Sequence, residues 1–432
     1  MSDSPTATYS QPTRQRLTRK QKHSLVAIGL GNLIEWFDWT IYATFAVYIA
    51  ASYFNSDNPA SALLATLLVF AVGFIARPLG GIVFGWIADT RGRRFALTLA
   101  VGMVSAGSLA IAVTPSHESI GVMASIILVA ARLVQGLSQG GETPSSQTFL
   151  SEIAPPERRG TWATLIYVSG TLGILLTVLA GVVLNAVLTE QQMNSFGWRI
   201  PFLVGAVLGL FTLWMRRNMD ESEVFEANKS AGRVPIFANI VKYRKEVFTV
   251  IGLTVGFTTA YYAWLVNMPT YASTTLGFTR SSTLAASAVG SAVLIIALPV
   301  WGRISDRVGR KPVLLVSFGA TLVLYLPALA LMKQSPVHLA LAVAIMSLAI
   351  GGVPAIFPAV LAELFPTEVR ATGIGLPYAL AVALFGGTAP YVQQYIAGLG
   401  GVDWFAFYVM TLIVISIVAT LTIPETRGKV FE

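Results

Sequence analysis

The sequence predicts an all-α integral membrane protein: twelve transmembrane helices in two six-helix pseudo-symmetric halves, with both termini cytoplasmic. Three observations predict it: an apolar composition, a one-sided distribution of Lys and Arg, and a repeated pair of loop motifs. Of 432 residues, 54% are hydrophobic and only 12% charged, against about 25% charged in soluble domains. Such a chain cannot cover itself with polar surface in water. Apolar runs recur at 24–51, 61–87, 95–114, 119–150, 161–188, 198–215, 247–273, 281–302, 312–333, 337–362, 371–396 and 402–424. Each reaches or approaches the roughly 20 residues that cross about 30 Å of hydrocarbon as helix.

Charge orients the runs. Residues 1–23 are polar and end in QRLTRKQKH, and the next run is a full span, so they read as a cytoplasmic tail rather than a cleaved signal. With that end inside, 24 of the 29 Lys and Arg fall on the cytoplasmic side. Only Arg199, Arg280 and Lys333 fall outside, and Arg77 and Arg132 lie within spans. This is the positive-inside pattern. It also accounts for the net charge of +8, so no nucleic-acid partner is expected. The chain has no cysteine, and its three histidines (His23, His117, His338) sit near span ends. No metal-ligand spacing, nucleophile elbow or phosphate loop appears, so no catalytic residue, metal or cofactor is expected and the chain does not read as an enzyme.

The polar stretch 216–246 divides the spans into bundles at 24–215 and 247–424, with a tail at 425–432. The two halves repeat. GWIADTRGRR from Gly85 and GRISDRVGRK from Gly302 both fit G-x-x-x-D-x-x-G-R-[RK], 217 residues apart. EIAPPERRG from Glu152 and ELFPTEVRATG from Glu363 both fit E-x-x-P-x-x-x-R, 211 residues apart. Two signatures at nearly one offset imply parallel repeats about an axis along the membrane normal.

The doubled loop in a six-plus-six chain resembles the major facilitator superfamily over residues 22–428. GNLIEWFDW, FIARPLGGIVFGWIAD, ARLVQGLSQGGE, GWRIPFL and PETRG resemble its metabolite:proton symporter branch, and RPLGG, GWRIPF and RATGIGLPYALAVALFGG its organic-acid permeases, those for α-ketoglutarate among them. One departure is TPSSQ after GGE, where Pro144 removes a helix hydrogen bond and leaves the cavity shape near Glu142 open. The eight residues after Pro424 leave no coiled-coil tail of the osmosensing proline/betaine kind, an expectation against that subgroup.

Charges inside the spans mark the candidate site. Glu35 and Asp38 share a helix face with Asn32 and Tyr42, and Arg132, Gln135, Gln139, Glu142 and Ser146 form a second stripe. A charge near the bilayer centre costs about 2.5–3.5 kcal/mol or more, so both stripes face a partner helix or a wet cavity. At 1.5 Å per residue, Glu35, Asp38, Arg77 and Glu142 lie roughly 15–21 Å from the cytoplasmic face, and Arg132 about 30 Å. Three acids against two arginines leave one negative charge over, so one acid holds a proton in at least one state. Asp38 is the favoured carrier, with Glu35 and Glu142 as alternatives. A buried acid of this kind can also do no more than set helix register.

Arg77 is the candidate anchor for a carboxylate, since a guanidinium forks onto one with two hydrogen bonds. Its other reading is an ion pair with a first-span acid. Arg132 reads as structural or gating. Arg199 reads as an outer-mouth residue or an interfacial anchor beside Trp198. Tyr42, Gln135, Gln139, Tyr262 and Tyr378 complete the candidate binding set, with the aromatic residues equally placed for packing. The second half offers no charge at mid-depth, so charge belongs to one wall of the cavity and aromatic and hydroxyl groups to the other.

The resemblance implies that Asp89, Arg93, Asp306 and Arg310 form a cytoplasmic gate, with Glu152–Arg159 and Glu363–Arg370 as supporting pairs. It implies a bacterial inner-membrane transporter whose partners are lipid, protons and a small carboxylate, and a monomeric state. The expected activity is proton-coupled symport of an organic anion such as α-ketoglutarate by alternating access. The alternatives are a proton-antiporting exporter of drugs or metabolites, and a symporter of a zwitterionic osmolyte.

Overall fold

In lipid a backbone must satisfy its own hydrogen bonds, and the apolar runs fold accordingly. The computed structural model describes residues 19–54, 58–91, 93–140, 142–217, 241–366, 369–429 and 431. Among the described residues all regular structure is helical. The first portion comprises α1 Arg19–Thr44, α2 Ala46–Tyr53, α3 Pro59–Arg91, α4 Arg93–Val113, α5 His117–Ile120, α6 Met123–Gln139, α7 Glu142–Ile153, α8 Arg159–Val187, α9 Glu190–Ser195 and α10 Ile200–Arg217. The second comprises α11 Arg244–Tyr261, α12 Met268–Thr275, α13 Arg280–Val308, α14 Arg310–Met332, α15 Pro336–Ile350, α16 Gly352–Leu364, α17 Arg370–Ala381, α18 Ala389–Gly398 and α19 Val402–Thr422. Most of the 216–246 connector and of the 1–23 tail lies outside the described residues.

Among the described residues, eight helical segments are long and apolar enough to cross a membrane, and shorter apolar helices cover 98–113, 123–139 and 197–213. The run at 24–51, expected as a span, is not among the eight. Asn32, Glu35 and Asp38 lower its apolarity, and its inner face is buried against protein. Two expected single helices carry a wide turn instead of a continuous α ladder. Between α11 and α12, Tyr262–Val266 is π-helical, and the Asn267 N–H reaches back to the Tyr262 carbonyl at 2.9 Å. Between α17 and α18, Val382–Gly386 is π-helical, and the Gly387 N–H reaches the Val382 carbonyl at 2.8 Å. Such turns rotate the side chains that follow them and often mark functional sites.

Helices approach where side chains vanish. Gly136 and Gly140, a G-x-x-x-G pair on α6, lie against the backbone of Gly73 and Arg77 on α3, so closely that a Cβ at either would overlap a carbonyl. Small residues let helix backbones meet in lipid, where packing rather than water exclusion drives association. This contact fixes the register of Arg77 against α6. The longest seam between the two portions runs along α8 and α13, while α1 packs on the other side of α8.

Gly140→Ala is expected to destabilise the protein by about 1–3 kcal/mol, the range of core overpacking. Gly398→Ala, where no atom lies within 4 Å of the added Cβ, is expected to be neutral. Thermal melting of the two purified variants checks this; equal melting temperatures would contradict the packing.

Candidate functional site

A central cavity of about 30 Å³ lies between the two portions, bordered by Glu35, Trp36, Trp39, Arg77, Tyr167, Phe257, Thr258, Tyr261, Tyr262 and Tyr378. Charge comes from α1 and α3, and hydroxyl and aromatic groups mostly from α8, α11, α17 and the first π turn. At about 10–15 Å³ of such space per water, it has room for two or three waters and not for an organic solute. Arg77 donates from Nη2 to Gln139 Oε1 at 2.7 Å, while its Cζ lies 4.1 Å from the centre of the Trp39 ring and 4.2 Å from that of Phe74. Its Nε is buried without a hydrogen-bond partner. Arg132 stacks on the same Trp39 ring at 3.9 Å and on Tyr42 at 4.4 Å. One indole thus holds two guanidinium groups by cation–π attraction, which strengthens where water is excluded. Arg132, expected well outward of the other charges, therefore lies beside the level of Trp39, because α6 packs directly on the α1–α3 corner.

Asp38 is fully buried and does not border the central cavity. It accepts from Ser108 Oγ and, at 3.0 Å, from Gln135 Nε2. Gln135 Oε1 accepts from Arg132 Nη1 at 3.0 Å, and Gln135 Nε2 also donates to Ser108 Oγ at 2.8 Å. The acid and the arginine are thus joined through an amide. A neutral bridge keeps both charges hydrogen-bonded while leaving the carboxylate room to change its proton.

The remaining candidates divide by place. Tyr262 and Tyr378 border the cavity, and Tyr378 Oη lies 3.4 Å from Tyr167 Oη. Tyr42 does not: its hydroxyl donates to the Thr66 carbonyl at 3.0 Å. Arg199 is also elsewhere. It donates to the Ala112 and Thr114 carbonyls at 2.8 and 2.6 Å and stacks on Trp198 at 4.5 Å. It caps the C-terminal end of α4, where cations are favoured, beside Trp198 as its anchor reading expects. The side chains of Glu142, Asp89 and Arg93 lie outside the described residues. Sequence reasoning missed Ser108, Tyr167 and Thr258, which are ordinary span residues until the fold brings them to Asp38 or the cavity.

At the charged end, Asp306 accepts from the Gly160 and Thr161 N–H groups at 2.9 Å each and from Thr161 Oγ1 at 2.6 Å. A carboxylate from α13 thereby caps the N-terminus of α8, where the helix dipole favours it. Arg310 Nη1 holds the same carboxylate at 2.8 Å. Gly309, with φ of 112°, makes the turn between α13 and α14 that places Arg310, a conformation other residues rarely adopt. The expected pairs Glu152–Arg159 and Glu363–Arg370 are corrected: the partners are exchanged. Arg159 meets Glu363 at 3.1 Å and Arg370 meets Glu152 at 2.8 Å. The pseudo-two-fold sets the two loops face to face, so each arginine reaches the other copy's acid. Arg159 and Arg370 both stack on Phe431, at 3.7 and 3.6 Å. Nearby, burial works against charge on Glu425, but N–H donors from Arg310, Arg427 and Lys311 outweigh it and hold its carboxyl below the usual range.

The opposite end is bridged too. Thr270 Oγ1 donates to the Ala43 carbonyl at 2.9 Å, and Arg280 donates to the Thr44 carbonyl. Both ends are thus bridged between the two portions. Asp306→Asn is expected to loosen the charged end, because hydrogen bonds to a charged group contribute about 1.5–3 kcal/mol, or roughly tenfold or more in an equilibrium. Maleimide labelling of Thr258→Cys, in a chain otherwise free of cysteine, should then accelerate by that factor. An unchanged rate would show that Asp306 does not hold this end shut.

Residues 28–297 match the family described as Major Facilitator Superfamily, and residues 223–432 that described as Sugar (and other) transporter. The chain is 36% identical over 416 residues to an alpha-ketoglutarate permease of Escherichia coli (strain K12), covering 95% of each. It is 31% identical over 430 residues to an ectoine/proline transporter of Corynebacterium glutamicum, covering 95% of this chain and 85% of that one. Its fold matches the proton:xylose symporter XylE with a TM-score of 0.75 at 18% identity, over 94% of this chain and 97% of that one. On the fold, the family match and these relatives together, the chain belongs to the major facilitator superfamily and is a multi-pass membrane transporter rather than an enzyme.

Proposed function

We propose that the protein is a proton-coupled symporter of small organic anions, working as a monomer in a bacterial inner membrane. In this reading, two six-helix halves (24–215 and 247–424, joined by 216–246) rock about the central cavity, with the charged end and both termini cytoplasmic. The observation that carries it is Arg77, a guanidinium on the cavity wall whose buried Nε has no hydrogen-bond partner. Among the described residues near it, Arg77 and Arg132 balance Glu35 and Asp38. An entering carboxylate group adds one negative charge and a proton on Asp38 removes one; a dicarboxylate such as α-ketoglutarate adds two and needs a second proton. Neutrality makes rocking through hydrocarbon affordable for a site that would otherwise carry net charge. The similarity to an alpha-ketoglutarate permease supports a carboxylate substrate.

A zwitterionic osmolyte is the second reading. Glu35 and a wall of Trp36, Trp39, Tyr261 and Tyr262 would suit a cationic ammonium while Arg77 takes the carboxylate, and an ectoine/proline transporter is among the relatives.

Uptake into proteoliposomes under an inward proton gradient, without Na⁺, separates these readings. Labelled α-ketoglutarate is expected to accumulate and proline is not. Arg77→Ala is expected to abolish binding. Asp38→Asn is expected to remove accumulation at least about a hundredfold, the low end for a positioned proton-transfer group. Accumulation that survives Asp38→Asn would move the proton site elsewhere, and accumulation under the reversed, outward proton gradient would favour a proton-antiporting exporter.

A further inference from the structure

A second cavity, of about 40 Å³, lies inside the N-terminal bundle among α1, α4, α6 and α10. Its wall includes Glu35, Asp38, Val104, Ser105, Gln139 and Thr212. Glu35 borders both cavities, whereas Asp38 borders only this one. Trp39, the next residue along α1, faces the central cavity and carries Arg77 and Arg132 on its ring, so the direct way from the central cavity to Asp38 is filled.

The second cavity suits water. At about 10–15 Å³ each it takes roughly three molecules, and its wall supplies both kinds of partner. Gln139 Nε2 is a donor, buried without a hydrogen-bond partner. Ser105 and Thr212 give their hydroxyl protons to the Val101 and Leu208 carbonyls, leaving their oxygens to accept. Cavities with several polar partners are hydrated, and apolar ones stay dry. Among the described residues, the charged and titratable groups around the two acids are as follows. Arg132 on α6 approaches Asp38 through Gln135. Arg77 on α3, Tyr167 on α8, Tyr261 on α11, Tyr262 in the first π turn and Tyr378 on α17 share the central cavity with Glu35. From α4 and α10 the second cavity receives hydroxyls, aliphatic groups and glycines.

We infer that this second cavity is a hydrated proton chamber and that Glu35 is the relay at its mouth, passing protons between the central cavity and Asp38. The inference rests on Asp38 as the coupling acid. A proton from the central cavity binds the Glu35 carboxylate. Glu35 then gives its proton to a chamber water, and a proton leaves the water chain for the Asp38 carboxylate. One O–H bond breaks at Glu35 and one forms at Asp38, with no electron transferred; release runs the same steps backwards. Substrate and proton thereby occupy different rooms, and no substrate atom needs to touch Asp38.

The test compares two fluxes in the same proteoliposomes, with whichever of labelled α-ketoglutarate or proline the wild type accumulates. Net uptake driven by a proton gradient requires the chamber at every turnover. Exchange of labelled for unlabelled probe at equal pH moves no net protons. Val104→Phe, which fills the chamber, is expected to lower net uptake about tenfold or more while exchange stays near wild type; Val104→Ala keeps both. Glu35→Gln is expected to depress net uptake more than exchange, and adding it to Val104→Phe should lower net uptake no further, because the two act in series. Should Val104→Phe fail to fold, the split in Glu35→Gln alone decides. Equal losses in both fluxes would make Glu35 a binding or packing residue and overturn the relay, as would undiminished net uptake in either variant. Proton-independent uptake by the wild type would instead defeat the coupling reading itself, before any variant is compared.

Discussion

Two guanidinium groups, from Arg77 on α3 and Arg132 on α6, share the ring of Trp39 on α1, with centroid distances of 4.1 and 3.9 Å. A lone charge at this depth would cost several kcal/mol, and two like charges together would cost more. The indole attracts both, and amides absorb what is left: Gln139 takes Arg77 and Gln135 takes Arg132. The second amide goes on to Asp38. Removing Trp39 would therefore disturb both arginines and, through Gln135, the acid. The α3–α6 glycine contact matters for the same reason, since it sets how closely the two arginine-bearing helices approach.

The charged end obeys a different rule. There the chain is held by contacts exchanged across the pseudo-two-fold: a carboxylate of α13 on the N-terminus of α8, Arg159 on Glu363, and Arg370 on Glu152. Glu363 is fully buried and also accepts from Arg310 and Thr426. A buried carboxylate with several donors is costly to strip of any one of them. Because these contacts join the two portions rather than elements within one, opening this end must release them as a group. That is the behaviour expected of a latch with two states.

The opposite wall of the central cavity is built without charge. Tyr261 ends α11 and Tyr262 begins the π turn, which packs both against Trp36 at 5.9 and 6.4 Å between ring centres. The wide bond from the Asn267 N–H to the Tyr262 carbonyl turns the residues that follow Tyr262. Aromatic faces can part and meet again without stranding a charge, which suits a wall that would separate in the proposed alternating access.

The amino-acid sequence by itself determined the class of molecule. Apolar length, one-sided basic charge and the repeat between Asp89 and Asp306 are carried by residue type and spacing, and they need no coordinates. It also marked Glu35, Asp38, Arg77 and Arg132, because a charge in an apolar run is conspicuous. What it could not decide is which group meets which. Glu152 and Arg159 sit seven residues apart and read as partners, yet a pseudo-two-fold axis exchanges them with Glu363 and Arg370. Arg199 reads as an outer-mouth residue or an anchor beside Trp198, and the fold gives it Trp198 and the end of α4. Asp38 reads as a proton carrier and Arg132 as structural or gating, and the fold joins them through Gln135, with Ser108 from another helix. Partner choice depends on the angles and register at which helices cross. Those are settled by glycine contacts and π turns summed over the whole bundle, so only the tertiary structure opens Glu35 to both cavities and Asp38, three residues on, to the second alone.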